Sequence, residues 1–465
     1  MKPNIKRLNP IDSNFIIPIY HEYIDLFKQC EKISKYRLNL MGLIFHEVML
    51  VSSVLIYKKN WQNKHDDYKY PYLGYRSHLS ENYKPSKVIL KRKIISNFSK
   101  LISKNNYNVG ILNPSSINVL SLCKLLLKKR IAFSFPENSN VKIDSYYEQK
   151  TIIETNLNRI WKKFRLTKTP DFFMSAISKF FEESNSINNV FENYDCLIIG
   201  TPIRMNVRIE AAKALSKDKP TICLDHGNET GTADHPSWGY DEQSYCSHFI
   251  GYGNNGKKSI INGEYTNSLF LDKPRYYESD SEIVKKIYKS EKIEGLDIDQ
   301  LDKKKIYIPT NLMGVDRLGP FYSIEDKKYI KWQEHLLGAF KDMTYKMHPK
   351  QKIKYQPGNC NILEGYLEEF INDYDIFLID TVVSTAFANL AATNKPIIYF
   401  NIGIGNISSS AVKAIKDGQI EIKSDKDGNV AASIGRKSFT DKKIKENYES
   451  FKQSIMKEKP NNIKG

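Results

Sequence analysis

Short apolar runs alternate with segments of helical periodicity in the first part of the chain. Each run ends at a turn-forming or polar residue, and the runs cover residues 108–112, 131–135, 195–200, 220–224 and 248–253. Between them, residues 117–129 and 208–216 carry apolar positions at helical spacing. Strands that alternate with helices of this length predict a parallel sheet covered by helices.

A second series of the same kind follows a charged, weakly periodic stretch at residues 276–305. Residues 329–340 have helical spacing, and the apolar runs cover residues 305–309, 344–347, 375–379 and 396–400. We find no sequence repeat that relates the two series. We predict two doubly wound α/β domains, at residues 1–270 and 300–440, and a charged helix and tail at residues 441–465. Ligands of such sheets bind outside the carboxyl ends of the strands, so the residues after each run matter most.

Length and composition agree with two domains. The chain has 465 residues, of which 41% are hydrophobic and 12% aromatic, and this is enough to fill two cores. Residues 1–10 lack the apolar core of a signal peptide. The most hydrophobic stretch, at residues 41–57, is short for a membrane span and contains His46 and Glu47. We expect a cytoplasmic protein, with peripheral attachment to the inner face of the membrane as the alternative.

The charge favours anionic partners. The formal net charge is +17, from 70 Lys and Arg against 53 Asp and Glu. The sequence contains no long basic arm and no helix-turn-helix, zinc-finger or RNA-binding sheet motif. Nucleotide phosphates and anionic lipid are therefore expected as partners, and nucleic acid is not. The six cysteines have no paired spacing, which is typical of reduced thiols rather than of a zinc site.

Small hydroxyl residues follow the apolar run at 375–379. The run ends at Asp380, and a helix is predicted to start near Ser384 and Thr385. Free backbone N–H groups at a helix start bind phosphate, and the two hydroxyls can add donors. The alternative is simple capping of the helix by Ser384.

The triplet His348-Pro349-Lys350 follows a predicted strand one βα unit earlier, so it should lie at the same edge of the sheet. A histidine can hydrogen-bond a phosphate, and Pro349 stiffens the turn. Lys346 or Lys350 can offset negative charge. Together with the Ser384 helix start, this triplet predicts a site for a phosphorylated ligand.

The predicted strand at 220–224 ends in Asp225-His226-Gly227. Asp225 can serve as a general base or as a nucleophile, and a helix cap or salt bridge is the structural alternative. For His226, a structural hydrogen bond stands beside a catalytic or phosphate-contacting role. Glu137, which follows the run at 131–135, is a second candidate acid.

The His-Pro pair and the Ser-Thr pair resemble the donor-binding half of bacterial glycosyltransferases of the GT-B architecture that use CMP-activated acidic sugars. That resemblance implies two Rossmann-like domains facing a cleft. It also implies that His348 and Pro349 contact the nucleotide and that Ser384 and Thr385 hold its phosphate. Asn311 would lie in the loop after the first strand of this half.

The triplet at Asp225 is similar to the Asp-Asp-Gly of CMP-sialic-acid transferases, although His226 replaces the middle residue. It also resembles the retaining β-Kdo transferases, in which an aspartate attacks the anomeric carbon. The resemblance implies transfer of Kdo or a sialic-acid relative from CMP to a glycan or glycolipid acceptor in capsule or lipopolysaccharide synthesis. A CMP donor has one phosphate, which helix N-termini and basic side chains can hold, so neither a metal ion nor another cofactor is expected.

Three other functions remain open from the sequence. A polyol-phosphate transferase that uses CDP-glycerol shares the His-Pro and Ser-Thr arrangement. A non-catalytic scaffold of polysaccharide synthesis could keep the fold without turnover. An epimerase of UDP-sugars could be built on the same architecture.

Overall fold

The structure is a computed structural model. It describes these parts of the chain, together with the isolated residues 19, 22, 23, 44, 48, 52 and 202: residues 86–104, 106–113, 118–136, 146–165, 190–200, 205–225, 243–252, 274–279, 304–310, 326–339, 342–348, 355–358, 360–381, 384–393, 395, 397–401, 422–424 and 430–434. The chain divides into two compact units. The first unit comprises residues 13–230 and 235–280, and the second comprises residues 281–465 with residues 1–12 and 231–234.

The first unit contains a six-stranded parallel sheet. Its strands are β1 (Asn108–Leu112), β2 (Ala132–Ser134), β3 (Cys196–Ile199), β4 (Thr221–Leu224), β5 (His248–Tyr252) and β6 (Arg275–Ser279). Its helices are α1 (Ser86–Ile102), α2 (Asn118–Lys128), α3 (Tyr146–Lys163) and α4 (Met205–Ser216), with a 3₁₀ turn at Val190–Asn193. The core is formed by apolar side chains of β1 to β4 and α2, among them Ile111, Leu126, Phe133, Ile198 and Leu224.

The strand order of this sheet is β2-β1-β3-β4-β5-β6. From β1 the chain moves outward to β2 and then returns to the other side of β1 to form β3. Right-handed crossovers therefore leave β1 and β3 toward opposite faces of the sheet. In sheets of this kind the ligand crevice lies where two such connections diverge, which here is at the carboxyl ends of β1 and β3.

The second unit contains a seven-stranded sheet. Its strands are β7 (Lys305–Ile308), β8 (Met343–Lys346), β9 (Asn361–Leu363), β10 (Ile376–Ile379), β11 (Ile397–Asn401), β12 (Ile422–Ser424) and β13 (Val430–Ile434). Its helices are α5 (Asp326–Ala339), α6 (Leu367–Phe370) and α7 (Thr385–Ala392), with a 3₁₀ turn at Ile371–Asp373. All four residues of β10 are buried, as expected of a strand covered on both faces.

The strand order here is β12-β13-β11-β10-β7-β8-β9. Strands β11, β10, β7, β8 and β9 are parallel, and β13 runs antiparallel to β11. The parallel strands thus have the order of dinucleotide-binding Rossmann domains, and the direction of winding reverses between β7 and β10. Ligands of such sheets bind at that reversal, at the carboxyl ends of these two strands.

The same polar contact recurs at the amino edge of both sheets. In the first unit, the carboxylate of Asp195 accepts a hydrogen bond from the N–H of Asn108, at 2.7 Å. In the second unit, the carboxylate of Asp375 accepts one from the N–H of Lys304, at 3.1 Å. Each aspartate follows a tyrosine and precedes the strand that pairs with the first strand of its sheet, which is β3 in one unit and β10 in the other.

A buried or half-buried lysine recurs in the same way. The ammonium of Lys219, before β4, donates to the carbonyl oxygens of Phe191, Glu192 and Tyr194. The ammonium of Lys395, before β11, donates to those of Ile371 and Asn372. Each lysine is followed by a proline and ties the start of its strand to the preceding 3₁₀ turn. Tyr-Asp and Lys-Pro pairs thus recur at equivalent positions of the two sheets, and the expectation that no sequence repeat relates the two halves stays a prediction.

The prediction of parallel α/β sheets in the two halves is confirmed by these topologies. The cleft between two domains and the domain bounds at residues 270, 300 and 440 stay predictions. The charged helix expected at residues 441–465 lies outside the described residues.

Candidate active site

The carboxyl edge of the second sheet brings three chain segments together. Strand β7 lies between β8 and β10, with Tyr307 paired to Tyr345 on one side and Ile308 paired to Ile379 on the other. The segments that leave these strands therefore begin at the same level of one edge. They carry Thr310 after β7, His348 after β8, and Asp380, Thr381 and Ser384 after β10.

Ser384 caps helix α7. Its backbone is extended, and its Oγ accepts a hydrogen bond from the N–H of Ala386 at 3.0 Å. The capping contact predicted as the alternative is thus present. It does not exclude an anion, because the Ser384 hydroxyl still has a proton to donate and other N–H groups of the first turn have no partner within the helix. Ser384 and Thr385 are both partly exposed.

Lys346 is held inside the unit. Its side chain is buried, and its ammonium donates to the carbonyl oxygens of Met347 at 2.8 Å and Gly365 at 2.6 Å. Burial lowers the pKa of this ammonium, and nearby glutamates, Glu368 first among them, oppose that shift. Two of its three N–H donors therefore fix the turn before α6 to the end of β8.

His348 is partly buried just beyond β8. Five further candidates lie outside the described residues: Glu137, His226, Asn311, Pro349 and Lys350. Among the candidates that the structure describes, His348, Ser384 and Thr385 belong to segments that leave the same sheet edge.

Asp380 lies at this edge and is absent from the site residues predicted from the sequence. Its carboxylate is completely buried and collects hydrogen bonds from three aromatic side chains. Oδ2 accepts from the Tyr307 hydroxyl, from the Tyr329 hydroxyl at 2.7 Å and from the indole N–H of Trp332 at 3.3 Å. An aspartate at the end of an apolar run was the visible signal, but its partners lie 48 to 73 residues away in the chain.

The surroundings of Asp380 change its acidity. Burial raises the pKa of its carboxyl group to about 6, and the hydrogen bonds from Tyr307 and Tyr329 partly offset that increase. Burial, with Asp380 beside them, raises the pKa of both tyrosines well above the ordinary value. In the part of the chain that the structure describes, Oδ1 of Asp380 has no hydrogen-bond partner. The Asp380 carboxyl group is thus a buried acid with a raised pKa, and three hydrogen bonds hold it at the reversal of strand order.

In the first unit, Asp225 follows β4 at the carboxyl edge of the sheet. Asp225 is only 2% exposed, and its N–H donates to the carbonyl oxygen of Ile250 at 2.9 Å. The strand beside β4 is β3, which borders the reversal of strand order in this sheet. Gly200 follows β3, and its N–H donates to the carbonyl oxygen of Leu112 at 3.1 Å. Asp225 therefore follows β4, the strand next to the β1–β3 pair at which the strand order reverses.

The conformation of Asn113 marks the same crevice. Asn113 follows β1 and has a φ of 43°, in the left-handed region. Asparagine tolerates this region better than most residues because its short side chain can hydrogen-bond locally. This left-handed residue thus lies at the carboxyl end of β1, one of the two strands that border the reversal.

No group of three or more His, Cys, Asp or Glu side chains within the described ranges is placed to hold a metal ion. The triplet Asp373-Tyr374-Asp375 lies at the amino end of β10. There the Asp375 carboxylate is engaged with the N–H of Lys304. This triplet is therefore at the opposite edge of the sheet from Ser384. The metal-free donor site stays a prediction.

Every helix in the described part of the chain is too short or too polar to cross a bilayer.

Residues 364–465 match the family model of the ribosomal protein L1p/L10e family. The large ribosomal subunit protein uL1 of Orientia tsutsugamushi (strain Ikeda) is 33% identical over 112 residues, which are 23% of this chain and 45% of that protein. The uL1 protein of Kosmotoga olearia is 51% identical over 57 residues, or 12% of this chain and 25% of that protein. The chain thus spans less than half the length of these curated relatives.

The segment matched by the L1 family is part of the larger sheet in this structure. It begins after β9 and includes β10 to β13. Strand β10 pairs with β7, which precedes the matched segment, and the two strands share one apolar core. The Asp380 carboxylate likewise takes its hydrogen bonds from residues before the match.

Among solved structures, the S. aureus MnaA-UDP co-structure has a TM-score of 0.37 and 13% identity, over 76% of this chain and 91% of that chain. A similarity at this level carries no functional assignment.

Proposed function

We propose that the chain is a glycosyltransferase that takes an acidic sugar, Kdo or a sialic-acid relative, from its CMP derivative. The acceptor would be a surface glycan or glycolipid. The observation that carries this proposal is the shared edge of the second sheet, where His348 and the Ser384 helix start follow strands on either side of β7. This edge includes the reversal of strand order between β7 and β10, where nucleotides bind in sheets of this order.

The chemistry of this edge suits one phosphate. Helix α7 directs its free N–H groups and the positive end of its dipole toward the edge, and Ser384 and Thr385 add hydroxyl donors. His348 supplies an imidazole from the other side of β7. The buried Asp380 carboxyl group does not repel an anion while it is protonated, and its raised pKa of about 6 favours that form in mildly acidic solution.

Asp225 is assigned as the nucleophile or the general base. It lies at the carboxyl edge of the first sheet, which is the edge that binds ligands in parallel α/β sheets. As a nucleophile, its carboxylate would bond to the anomeric carbon while CMP leaves with the electron pair of the broken bond. The acceptor hydroxyl oxygen would then displace the carboxylate from that carbon and lose its proton to solvent. As a base, it would remove the acceptor hydroxyl proton while that oxygen displaces CMP directly.

The experiment is a thermal-shift screen of the full chain with CMP, CDP, UDP and GDP, followed by assays of sugar transfer. CMP should raise the melting temperature, because a ligand that binds only the folded state stabilises it. His348→Ala should lose that shift. Asp225→Asn should keep it and lose turnover by a factor of about 10³ or more, since the reacting group is removed. A preference for CDP would favour the polyol-phosphate transferase, and near-normal turnover by Asp225→Asn would refute the role of Asp225.

A second function is favoured by the family match alone: binding to the large ribosomal subunit through residues 364–465. The uL1 relatives of the chain are proteins of that subunit. The formal net charge of +17 would favour contact with ribosomal RNA.

Sedimentation of the full chain with purified large subunits tests this second function. The full chain is needed because β10 pairs with β7 and a fragment that starts at residue 364 would lose that neighbour. Binding that survives moderate salt, with no response to any nucleotide, would replace the glycosyltransferase proposal. A nucleotide response without sedimentation would reject the ribosomal one.

A further inference from the structure

Helix α1 has polar residues on the face that contacts its own unit. Its buried face contains two serines, Ser96 and Ser99. The Ser99 hydroxyl donates to the carbonyl oxygen of Phe133 at 2.9 Å and accepts from the N–H of the same residue at 3.1 Å. Ile95 of this face packs against the apolar core, and the Arg92 guanidinium lies 5.5 Å from the centre of the Phe135 ring. The contacts of α1 with its own unit thus include polar and cation–π contacts beside the apolar packing of Ile95.

The opposite face of α1 is exposed and carries four large apolar side chains beside Asn97. Leu90 is 60% exposed, Ile94 58%, Phe98 52% and Leu101 83%. Their spacing of four, four and three residues places them in one line along the helix. We call these four residues the α1 stripe. Soluble proteins rarely expose a contiguous row of large apolar side chains without a partner for it.

Lysines flank the α1 stripe on both sides. At 100° per residue, exposed Lys91 lies on one side of the stripe, and exposed Lys93 and Lys100 lie on the other. Helix α1 contains no acidic residue. An apolar row between basic borders is typical of helices that lie in the interface of an anionic membrane, where the apolar side chains enter the acyl region and the lysines contact lipid phosphates.

We propose that α1 docks the protein on an anionic lipid surface through the α1 stripe and its flanking lysines. The charge selects this occupant over a second copy of the chain, because two such helices face to face would place lysines against lysines with no acidic side chain of α1 to neutralise them. The inference goes beyond the proposed transferase activity and does not depend on it. It specifies the α1 stripe with its flanking lysines as the membrane-binding surface and anionic lipid as its partner.

Sedimentation with vesicles tests the proposal on the full chain. One set of vesicles is phosphatidylcholine alone, and the other contains added phosphatidylglycerol. The wild-type chain should bind the anionic vesicles at least about tenfold more tightly, because the lysines near the surface interact with anionic lipid. No preference for the anionic vesicles would overturn the proposal.

Two variants separate the apolar and the charged contributions. The triple variant Leu90→Gln, Ile94→Gln, Phe98→Gln should lose at least about tenfold in partition to anionic vesicles, since three apolar side chains no longer enter the acyl region. The double variant Lys93→Glu, Lys100→Glu should lose about a hundredfold or more on the same vesicles. All of these positions are exposed, so the melting temperature should stay within a few degrees of wild type.

Leu125→Gln is the matched control. Leu125 is an equally exposed leucine on α2, 50% exposed and outside the α1 stripe, so its replacement should leave vesicle binding unchanged. Equal losses in Leu125→Gln and in the triple variant would show that the effect is not specific to α1. Light scattering of the free protein provides a further check. A dimer that the triple variant converts to a monomer would identify a second copy as the occupant and would overturn the membrane assignment.

Discussion

The hydroxyl group of Tyr329 joins the buried carboxylate of Asp380 to the chain that leaves β7. It donates to Asp380 at 2.7 Å and accepts a hydrogen bond from the N–H of Thr310 at 2.8 Å. One hydroxyl on α5 thus connects the ends of the two strands between which the order of the sheet reverses. The segment after β7 and the segment that leads to Ser384 are positioned by the same contact.

Tyr329→Phe should therefore lower the free energy of unfolding by about 1–3 kcal/mol, because it removes one donor to Asp380 and leaves the buried N–H of Thr310 without its acceptor. Urea denaturation measures this change. Tyr345→Phe is the matched control, since this buried tyrosine bonds a neutral partner, Gln333, at 2.9 Å. It should cost about 1 kcal/mol. If the Tyr329 variant were no less stable than the Tyr345 variant, the buried carboxylate would not depend on its tyrosine donors.

Asp380 should make the stability of the protein depend on pH. Its folded-state pKa is about 6, above the ordinary value of 3.8. Between these two values the folded state holds a proton that the unfolded state has released, so stability falls as the pH rises from about 4 to about 6. The contribution that is lost is on the order of 3 kcal/mol.

Asp380→Asn removes this titration while it keeps the size of the side chain. The free energy of unfolding of wild type minus that of this variant is measured in urea from pH 4 to pH 7. This difference should decrease as the pH rises. It should then become constant above pH 7. A difference that is flat across this range would mean that Asp380 has the same pKa in the folded and unfolded states.

Lys395 and Lys219 allow a matched comparison of the repeated lysine. Lys395 is buried, and its ammonium bonds two carbonyl oxygens, whereas Lys219 is partly exposed and bonds three. Lys395→Met should cost about 2–4 kcal/mol, because water cannot readily replace a buried donor. Lys219→Met should cost about 1 kcal/mol, since water reaches its carbonyls. Urea unfolding followed by circular dichroism measures both, and equal costs would contradict the role of burial.

Ser384 can be tested as a cap and as a ligand group separately. Ser384→Ala removes the acceptor for the N–H of Ala386 and should cost about 1 kcal/mol of stability. Ser384→Asp keeps a good cap and should retain stability, but its negative charge would oppose a phosphate at the helix start. CMP binding should therefore fall at least about tenfold in Ser384→Asp, as measured by calorimetry. Unchanged CMP binding in this variant would show that the phosphate does not bind at the start of α7.

Local pattern was sufficient to predict several elements of the site. The apolar run at 375–379 forms β10, and the hydroxyl residues after it start α7 with Ser384 as the cap. These features depend on residues a few positions apart, so their physical causes, strand burial and helix capping, can be read along the chain. The same holds for the alternation that predicted parallel sheets.

The partners of single side chains could not be predicted in this way. The expectation that Lys346 or Lys350 offsets a phosphate charge stays a prediction, whereas the bond of the Lys346 ammonium to the carbonyl of Gly365, which the pairing of β8 with β9 brings close, could not be predicted from local sequence. The serines of α1 face the protein because the backbone of β2 offers Ser99 a donor and an acceptor. Each of these outcomes depends on which strands become neighbours.

Short-range periodicity and capping were enough to predict nine of the described strands, helices α2, α4, α5 and α7, and the small set of polar residues that leave the strand ends, but not strands β6, β9, β12 and β13. Tertiary structure alone decided the order of the strands, and with it the reversal between β7 and β10 that brings Tyr307, Tyr329 and Asp380 together. The physical reason is that strand pairing and burial join residues far apart in the chain, and burial then sets the acidity of a carboxyl group that no local pattern distinguishes from its neighbours.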